Sequence, residues 1–196
     1  PEKVYLPVIN HHRWPENQNV QDDDLSQGDK LFPDTVDAFL FNDTIEWLEE
    51  NLKYDFAIVD TAPSRSILHR MALMAADYVL IPVDSSPGSL KGVSKIKEDI
   101  DLLKKRRMSE AIILGTYMTS TRKTNLNKGI ENQLEQLSIA NGTIKFENSI
   151  RQTVSVGESK QFKISLNEYD FHNNAALDYR KLTNEILKRI DEFHSK

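Results

Sequence analysis

The chain has 196 residues, 39% hydrophobic and 28% charged, which places it in the ordinary globular class with room for one hydrophobic core. The absence of cysteine excludes a disulfide framework, cysteine-ligated zinc and iron–sulfur clusters; no apolar run approaches the roughly eighteen residues of a membrane span, and no signal segment opens the chain, so a cytosolic protein is expected. A formal net charge of −5 argues against a wholly basic nucleic-acid coat but leaves room for a confined basic patch.

Residues 1–44 read as a poorly defined N-terminal segment of what is expected to be a single domain over 1–196. Val4-Tyr5-Leu6-Pro7-Val8-Ile9 has the character of a strand, and Pro7, which has no N–H to donate, suggests a sheet edge or strand end. Residues 10–34 are polar and carry Pro15, Gly28, Pro33 and Asp22-Asp23-Asp24, the composition of a long loop; His11, His12 and Trp14 read as loop residues. Asp43 is a fair N-cap for a helix through Ile45, Leu48 and Leu52.

From residue 55 onward, short apolar runs alternate with segments of helical period. Phe56–Val59, Tyr78–Val83 and Ile112–Met118 are apolar on both faces, as buried parallel strands require, and Thr143–Phe146 is a weaker fourth run. Between them Val93, Ile96, Ile100 and Leu103 share one helical face, as do Leu126, Ile130, Leu134 and Leu137; Tyr179, Leu182, Ile186, Ile190 and Phe193 mark a long last helix. This alternation predicts an α/β fold, a mostly parallel sheet with helices on both faces and the three main runs as neighbouring central strands.

The chemistry concentrates in Tyr54-Asp55-Phe56-Ala57-Ile58-Val59-Asp60-Thr61-Ala62-Pro63-Ser64. A carboxylate at the carboxyl end of a buried strand sits where open α/β sheets bind ligands. In P-loop NTPases such a group holds Mg²⁺ against the β- and γ-phosphates. An apolar run closed by aspartate is also a common solvated strand end, and that reading stands beside the first. Asp55, ahead of the strand, reads as structural.

With Thr61-Ala62-Pro63-Ser64 after it, the run resembles the D-T/C-P-P-S switch of the ParA/MinD-type (deviant Walker A) partition ATPases, Ala62 replacing the usual first proline. The resemblance continues in register through Ala75-Ala76-Asp77-Tyr78-Val79-Leu80-Ile81-Pro82-Val83, Ser89-Leu90-Lys91-Gly92 and Thr121-Arg122-Lys123-Thr124-Asn125-Leu126. Ser149-Ile150-Arg151-Gln152 with Val156-Gly157-Glu158-Ser159, and Glu168-Tyr169-Asp170 with Ala175-Ala176-Leu177-Asp178-Tyr179, complete it, so that residues 45–193 are the recognisable part. One family feature has no counterpart: the phosphate cradle K-G-G-x-G-K-T, whose backbone N–H groups hold the phosphates. Because the chain opens at Pro1 rather than Met, a preceding piece carrying the first strand and the cradle is expected; a degenerate relative without it is the alternative.

The resemblance implies a P-loop NTPase-like fold, ATP and Mg²⁺ as cofactors, and roles for individual residues. Asp60 would contact the metal, and Thr61 and Pro63 would form the switch that senses the γ-phosphate, with Ser64 capping the next helix. Thr119, with Ser120 and Arg122, lies where the family binds the base, against ordinary turn chemistry. Arg151 and its loop would close over the base and reach the DNA face. Lys91 could replace the signature lysine of the absent cradle, as in carboxysome-positioning McdA-like relatives, or be a solvated lysine in a first helical turn. Arg122, Lys123, Lys128, Arg151, Lys160 and Lys163 would make a basic face for phosphate backbones. Lys104-Lys105-Arg106-Arg107 reads instead as cations offsetting a helix dipole.

The function implied is an ATPase that forms an ATP-dependent homodimer, binds nonspecific DNA on the nucleoid and positions a plasmid, chromosome or protein organelle. A ParB-like or other adaptor would stimulate hydrolysis, without stable membrane insertion. A MinD-like membrane-cycling ATPase and a nucleotide-free interaction module of the same fold are the alternatives; the mixed charges of Lys188–Lys196 argue against the first.

Overall fold

The computed structural model describes residues 4–5, 8–9, 40–52, 55–61, 66–86 and 88–195. The anticipated loop over 10–34, with His11, His12 and Trp14, lies outside them, as do Ala62, Pro63 and Ser64. The strands are β1 (Val4–Tyr5), β2 (Val8–Ile9), β3 (Phe56–Ala57), β4 (Asp60–Thr61), β5 (Tyr78–Val83) and β6 (Ile112–Met118). The helices are α1 (Leu40–Leu52), α2 (Ile67–Ala75), α3 (Ser89–Lys105), α4 (Asn125–Ala140), α5 (Val154–Phe162), α6 (Leu166–Tyr169) and α7 (Asn174–His194).

Every described pairing between these strands is parallel: β1 with β3, and β4-β2-β5-β6 in that order. The parallel α/β expectation therefore holds, but the neighbour order is corrected in one place. Val8–Ile9 lies between Asp60–Thr61 and β5, pairing with both, so the run beginning at Phe56 is not adjacent to β5 and β2 is not at an edge; Pro7, which suggested an edge or a strand end, lies outside the described residues. Nor is the Phe56 run buried on both faces: Phe56 is 46% and Ile58 66% exposed, while Val59 and Ala57 pack inward. By contrast all of β5 is buried, and β6 is buried from Ile113 onward.

Helices cover both faces of the sheet. Val79, Ile81, Val83, Ile113 and Met118 meet α1 to α4 through Ile45, Leu73, Met74, Val93, Ile96, Ile100, Leu103, Ile130 and Leu134. On the opposite face Tyr78, Leu80, Leu114 and Tyr117 meet Phe146, Ile150 and the α7 residues Ala175, Leu182, Ile186 and Ile190. Alternation along β5 sends successive side chains to the two layers.

Local chemistry sets the helix starts. Ser66, two residues beyond the anticipated Ser64, caps α2 by accepting from the His69 N–H (3.3 Å). Thr124 caps α4 by accepting from Asn127 N–H (3.2 Å), and Asn173 caps α7 by accepting from Ala175 N–H (2.9 Å). Asp43 is not an N-cap: α1 begins at Leu40 and carries Asp43 in its first turn, where a negative charge still complements the helix dipole. Leu126, counted on the apolar stripe of α4, is 60% exposed. The weak run Thr143–Phe146 adds to the free side of β6 by a parallel bridge, with Thr116 N–H donating to Ile144 O (2.9 Å) and Phe146 N–H to Thr116 O (2.8 Å).

Candidate nucleotide site and basic face

Because the strands run parallel, β4, β5 and β6 all end on the same side, and Thr119 N–H donates to Val83 O (2.8 Å) across that end. Asp60 is exposed there, and the neighbouring Thr61 is 8% exposed with its Oγ1 buried and without a hydrogen-bond partner. The Ser85 Oγ, just past β5, is likewise buried and unpartnered. A buried hydroxyl left unsatisfied costs about 1–3 kcal/mol, so such atoms at strand ends suit a polar ligand. The same end carries the start of α3. Asp84 Oδ1 accepts from Ser86 N–H (2.9 Å) and from the Ser86 hydroxyl (2.6 Å), and Ser89 Oγ lies 2.8 Å from Asp84 O and 2.7 Å from Ser86 O. Lys91 follows in the first turn of α3 with its side chain exposed. Pro63, the remaining residue expected in the switch, lies outside the described residues.

Beyond the end of β6 opens a cavity of about 270 Å³ lined by Thr119, Ser120, Ile150, Arg151, Gln152, Thr153, Val156, Gly157, Lys160 and Tyr179. It lies near the lower bound of small-molecule sites, about 300 Å³, and so suits part of a nucleotide rather than the whole. Its lining combines apolar groups with hydroxyls and an amide, and the Thr153 Oγ1 is buried with no hydrogen-bond partner although Thr153 occupies the N-cap position of α5. Thr119 and Arg151, both anticipated near the base, thus line one cavity with Lys160; Arg122 stands beside it, its Nε donating to Gln152 Oε1.

Arg151 has a partner that the sequence did not suggest. Its Nε donates to Asp178 Oδ2 (2.7 Å), its Nη2 to Asp178 Oδ1 (2.6 Å) and to Asn174 O (3.2 Å), and its backbone N–H to Asp178 Oδ2 (3.1 Å). Two of its three guanidinium nitrogens are therefore engaged within the chain. Burial pushes the Asp178 carboxyl up, but the hydrogen bonds from Arg151 outweigh it and hold the carboxyl below its ordinary value; the same bonds raise Arg151. A signal for this was present: Asp178 occupies the apolar stripe of α7 between Ala175 and Leu182, and a carboxylate buried there demands a cation. Gln152, Thr153 and Tyr179 were also not anticipated as cavity residues.

The basic residues come from the two loops that the bridge Thr121↔Arg151 joins. Arg122, Lys123 and Lys128 are exposed around the start of α4, and Lys160 and Lys163 are exposed on and just after α5. Lys104–Arg107 end α3 on the opposite side of the sheet, as dipole-offsetting cations do. Arg107 there lines a larger cavity, about 390 Å³, with Glu46, Asp77 and Glu110 at the amino ends of β5 and β6, away from the strand-end chemistry. Among the described residues no group of three or more metal-ligating side chains gathers, and no helix is long and apolar enough to cross a membrane.

An open parallel sheet flanked by helices, with a carboxylate and unpartnered hydroxyls at its strand ends, is the α/β arrangement that binds ligands beyond the carboxyl ends of its strands. A family model described as an AAA domain matches residues 20–113. The chain is 28% identical to the chromosome partitioning protein ParA of Myxococcus xanthus over 141 residues, 70% of this chain and 48% of that protein. It is 26% identical to the chromosome-partitioning ATPase Soj of Treponema pallidum over 137 residues, 69% and 53% of the two chains. Apo McdA from Cyanothece superposes with a TM-score of 0.65 at 19% identity, covering 78% of this chain and 59% of that one. MinD of Pyrococcus horikoshii complexed with Mg-ADP superposes with a TM-score of 0.58 at 14% identity, covering 76% and 56%. The chain is thus similar to ParA/MinD-type partition ATPases in sequence and in fold, and it spans about half the length of the curated relatives it matches.

Proposed function

We propose that the protein is a ParA-like ATPase whose nucleotide lies across the carboxyl ends of β4, β5 and β6, its base in the cavity of Thr119, Ser120 and 150–153. The observation that carries this is the grouping of Asp60, the unpartnered hydroxyls of Thr61, Ser85 and Thr153, and the cavity on one side of a parallel sheet. Asp60 supplies a carboxylate for Mg²⁺, directly or through water, and Thr61 with Pro63 forms the switch beside the γ-phosphate. Bound Mg²⁺ would neutralise charge developing on the phosphates. A hard cation that keeps several waters and takes oxygen from phosphates needs only one or two protein carboxylates, which suits the solitary Asp60. Residues 1–196 contain no glycine-rich loop ending in Lys-Ser/Thr, so the proposal requires one in the full-length protein; Lys91, exposed in the first turn of α3, would supplement it.

In this reading the protein dimerises around ATP, and the dimer binds nonspecific DNA of the nucleoid through Arg122, Lys123, Lys128 and Lys160. Hydrolysis stimulated by a ParB-like or other adaptor releases it, which lets cargo follow the bound ATPase. The relatives named for chromosome partitioning and the likeness to McdA support it. The deciding experiment is ATP turnover by the full-length protein and its Asp60→Ala variant. Turnover should vanish in the variant while circular dichroism and melting stay unchanged, because the Asp60 side chain is exposed. Wild-type hydrolysis by a folded variant would remove the metal role and with it the catalytic reading.

A further inference from the structure

The cavity beyond β6 has walls from three places in the chain: the end of β6 at Thr119 and Ser120, the segment 150–157, and Tyr179 on α7. On one side the middle wall is sewn to β6, with Ile150 N–H donating to Met118 O (2.9 Å), Thr121 N–H to Ile150 O (3.0 Å) and Gln152 N–H to Thr121 O (3.1 Å). On the other side Asp178 receives three hydrogen bonds from Arg151 alone, one from the backbone and two from the guanidinium. Asp178 is 7% exposed and is the immediate neighbour of Tyr179. The carboxylate therefore ties the segment carrying Ile150, Gln152 and Thr153 to the helix carrying Tyr179, and so sets the separation of two facing walls.

We propose that Asp178 is a positioning residue for the base end of the bound nucleotide, acting through Arg151 to hold the cavity at the width of a planar heterocycle. The proposal rests on the nucleotide reading above. The phosphates would lie at Asp60 and Thr61, at the end of a different strand. The latch should therefore matter to ligands that carry a base and not to a bare phosphate chain. A bidentate Arg–carboxylate pair is geometrically restrictive, which suits a device that fixes a spacing rather than one that merely adds stability. Removing either partner frees the same segment, so the two residues should behave as one unit.

The test measures, by titration calorimetry on the full-length protein with Mg²⁺, the affinity for ATP and for inorganic tripolyphosphate. Asp178→Ala should weaken ATP about tenfold and leave tripolyphosphate unchanged. Arg151→Ala, at an exposed side chain, should do the same and decides the matter if the buried Asp178 variant fails to fold. The double variant should be no weaker for ATP than either single one, and Asp178→Asn, which still accepts hydrogen bonds, should recover part of the loss. Unaltered ATP affinity in folded Arg151→Ala overturns the latch, as does an equal loss for both ligands, which would mark general loosening. A wild-type protein that binds tripolyphosphate or nothing, but not ATP in preference, overturns the latch together with the nucleotide reading, whereas tight wild-type ATP binding with indifferent variants removes the latch alone.

Discussion

Gly115, in the middle of β6, lies directly against the ring of Phe146. A Cβ built there would stand 2.3 Å from Phe146 Cε2, 2.8 Å from Cδ2 and 2.9 Å from Cζ. Carbon atoms attract best at about 3.5–4.0 Å, so the ring would have to retreat by roughly 1 Å or more. Phe146 cannot do this cheaply: it is 2% exposed and packed among Tyr78, Leu114 and Leu182. Nor can the strand, which pairs through Leu80↔Gly115 on one side and through Thr116 with Ile144 on the other. Overpacking of this kind costs typically about 1–3 kcal/mol, against which the lower backbone entropy of alanine returns roughly 0.5–1 kcal/mol. Gly115→Ala should therefore lower unfolding stability by about 1–2 kcal/mol, read as a fall in urea midpoint at constant m-value. Phe146→Leu in the same chain should relieve the clash, so that the double variant loses clearly less than the sum of the two single ones. An unchanged or raised midpoint for Gly115→Ala would mean that the ring does not lie over this glycine, and that glycine here serves no close approach.

Replacing Arg122, Lys123 and Lys128 with alanine should flatten the log–log salt dependence of nonspecific DNA binding by roughly 0.9 per lost phosphate contact, measured by fluorescence anisotropy across a salt series. Arg151→Ala should change that slope little, because its guanidinium is held by Asp178; a change as large as for Arg122 would return Arg151 to the DNA face. The depressed Asp178 carboxyl gives a signed pH effect. A group whose folded value lies below its unfolded value contributes stability that is complete above the unfolded value, about 4, and is lost as pH falls through the folded one. Acid unfolding should accordingly be shallower below about pH 4 for Asp178→Asn than for the parent chain, and parallel curves would show that the pair does not survive in solution.

Periodicity and local apolarity revealed β5, β6 and the α3 and α7 stripes because these elements are buried on the faces that their sequence marks as apolar, except that Tyr179, read on the α7 stripe, is 42% exposed. Phe56-Ala57-Ile58-Val59 has the same local character, yet Ile58 lies 66% exposed, since what covers a strand depends on its neighbours and not on its own residues. The insertion of Val8–Ile9 beside β5 is a pairing choice between segments some seventy positions apart (Val8↔Leu80), which no window of sequence reports. The strand-terminal Asp60 and Thr119 were legible for the opposite reason, because the end of a parallel strand is fixed by the strand itself. The Arg151–Asp178 pair was not, because its members are 27 residues apart and each also has an ordinary surface reading. Only the incongruity of a carboxylate on the apolar stripe of α7 pointed to it.

That stripe also explains how a site at a loop can be held firmly. α7 has 21 residues, about 30 Å at 1.5 Å per residue, and Leu182, Ile186 and Ile190 seat it on the face of β5 and β6. Its far end is anchored again: Arg189 Nε donates to Leu114 O (2.7 Å), and Tyr78 Oη lies 3.1 Å from His194 Nε2. A helix fixed along its length and at one end leaves little freedom at the other, so Asp178 and Tyr179 are placed by the core rather than by the loop they face. The wall 150–153 is then held between two rigid elements, β6 and α7, and opening it requires breaking hydrogen bonds to one of them. The edge at Asp60 has no comparable support among the described residues: the strand carrying it exposes Phe56 and Ile58 and pairs on one side with two-residue segments. Local opening is easiest where few apolar contacts and hydrogen bonds must be lost, so motion should concentrate at Asp60, the end proposed for the phosphates, and leave 150–153, the wall proposed for the base, fixed. The γ-phosphate switch proposed at Thr61 would then belong at the end that can move.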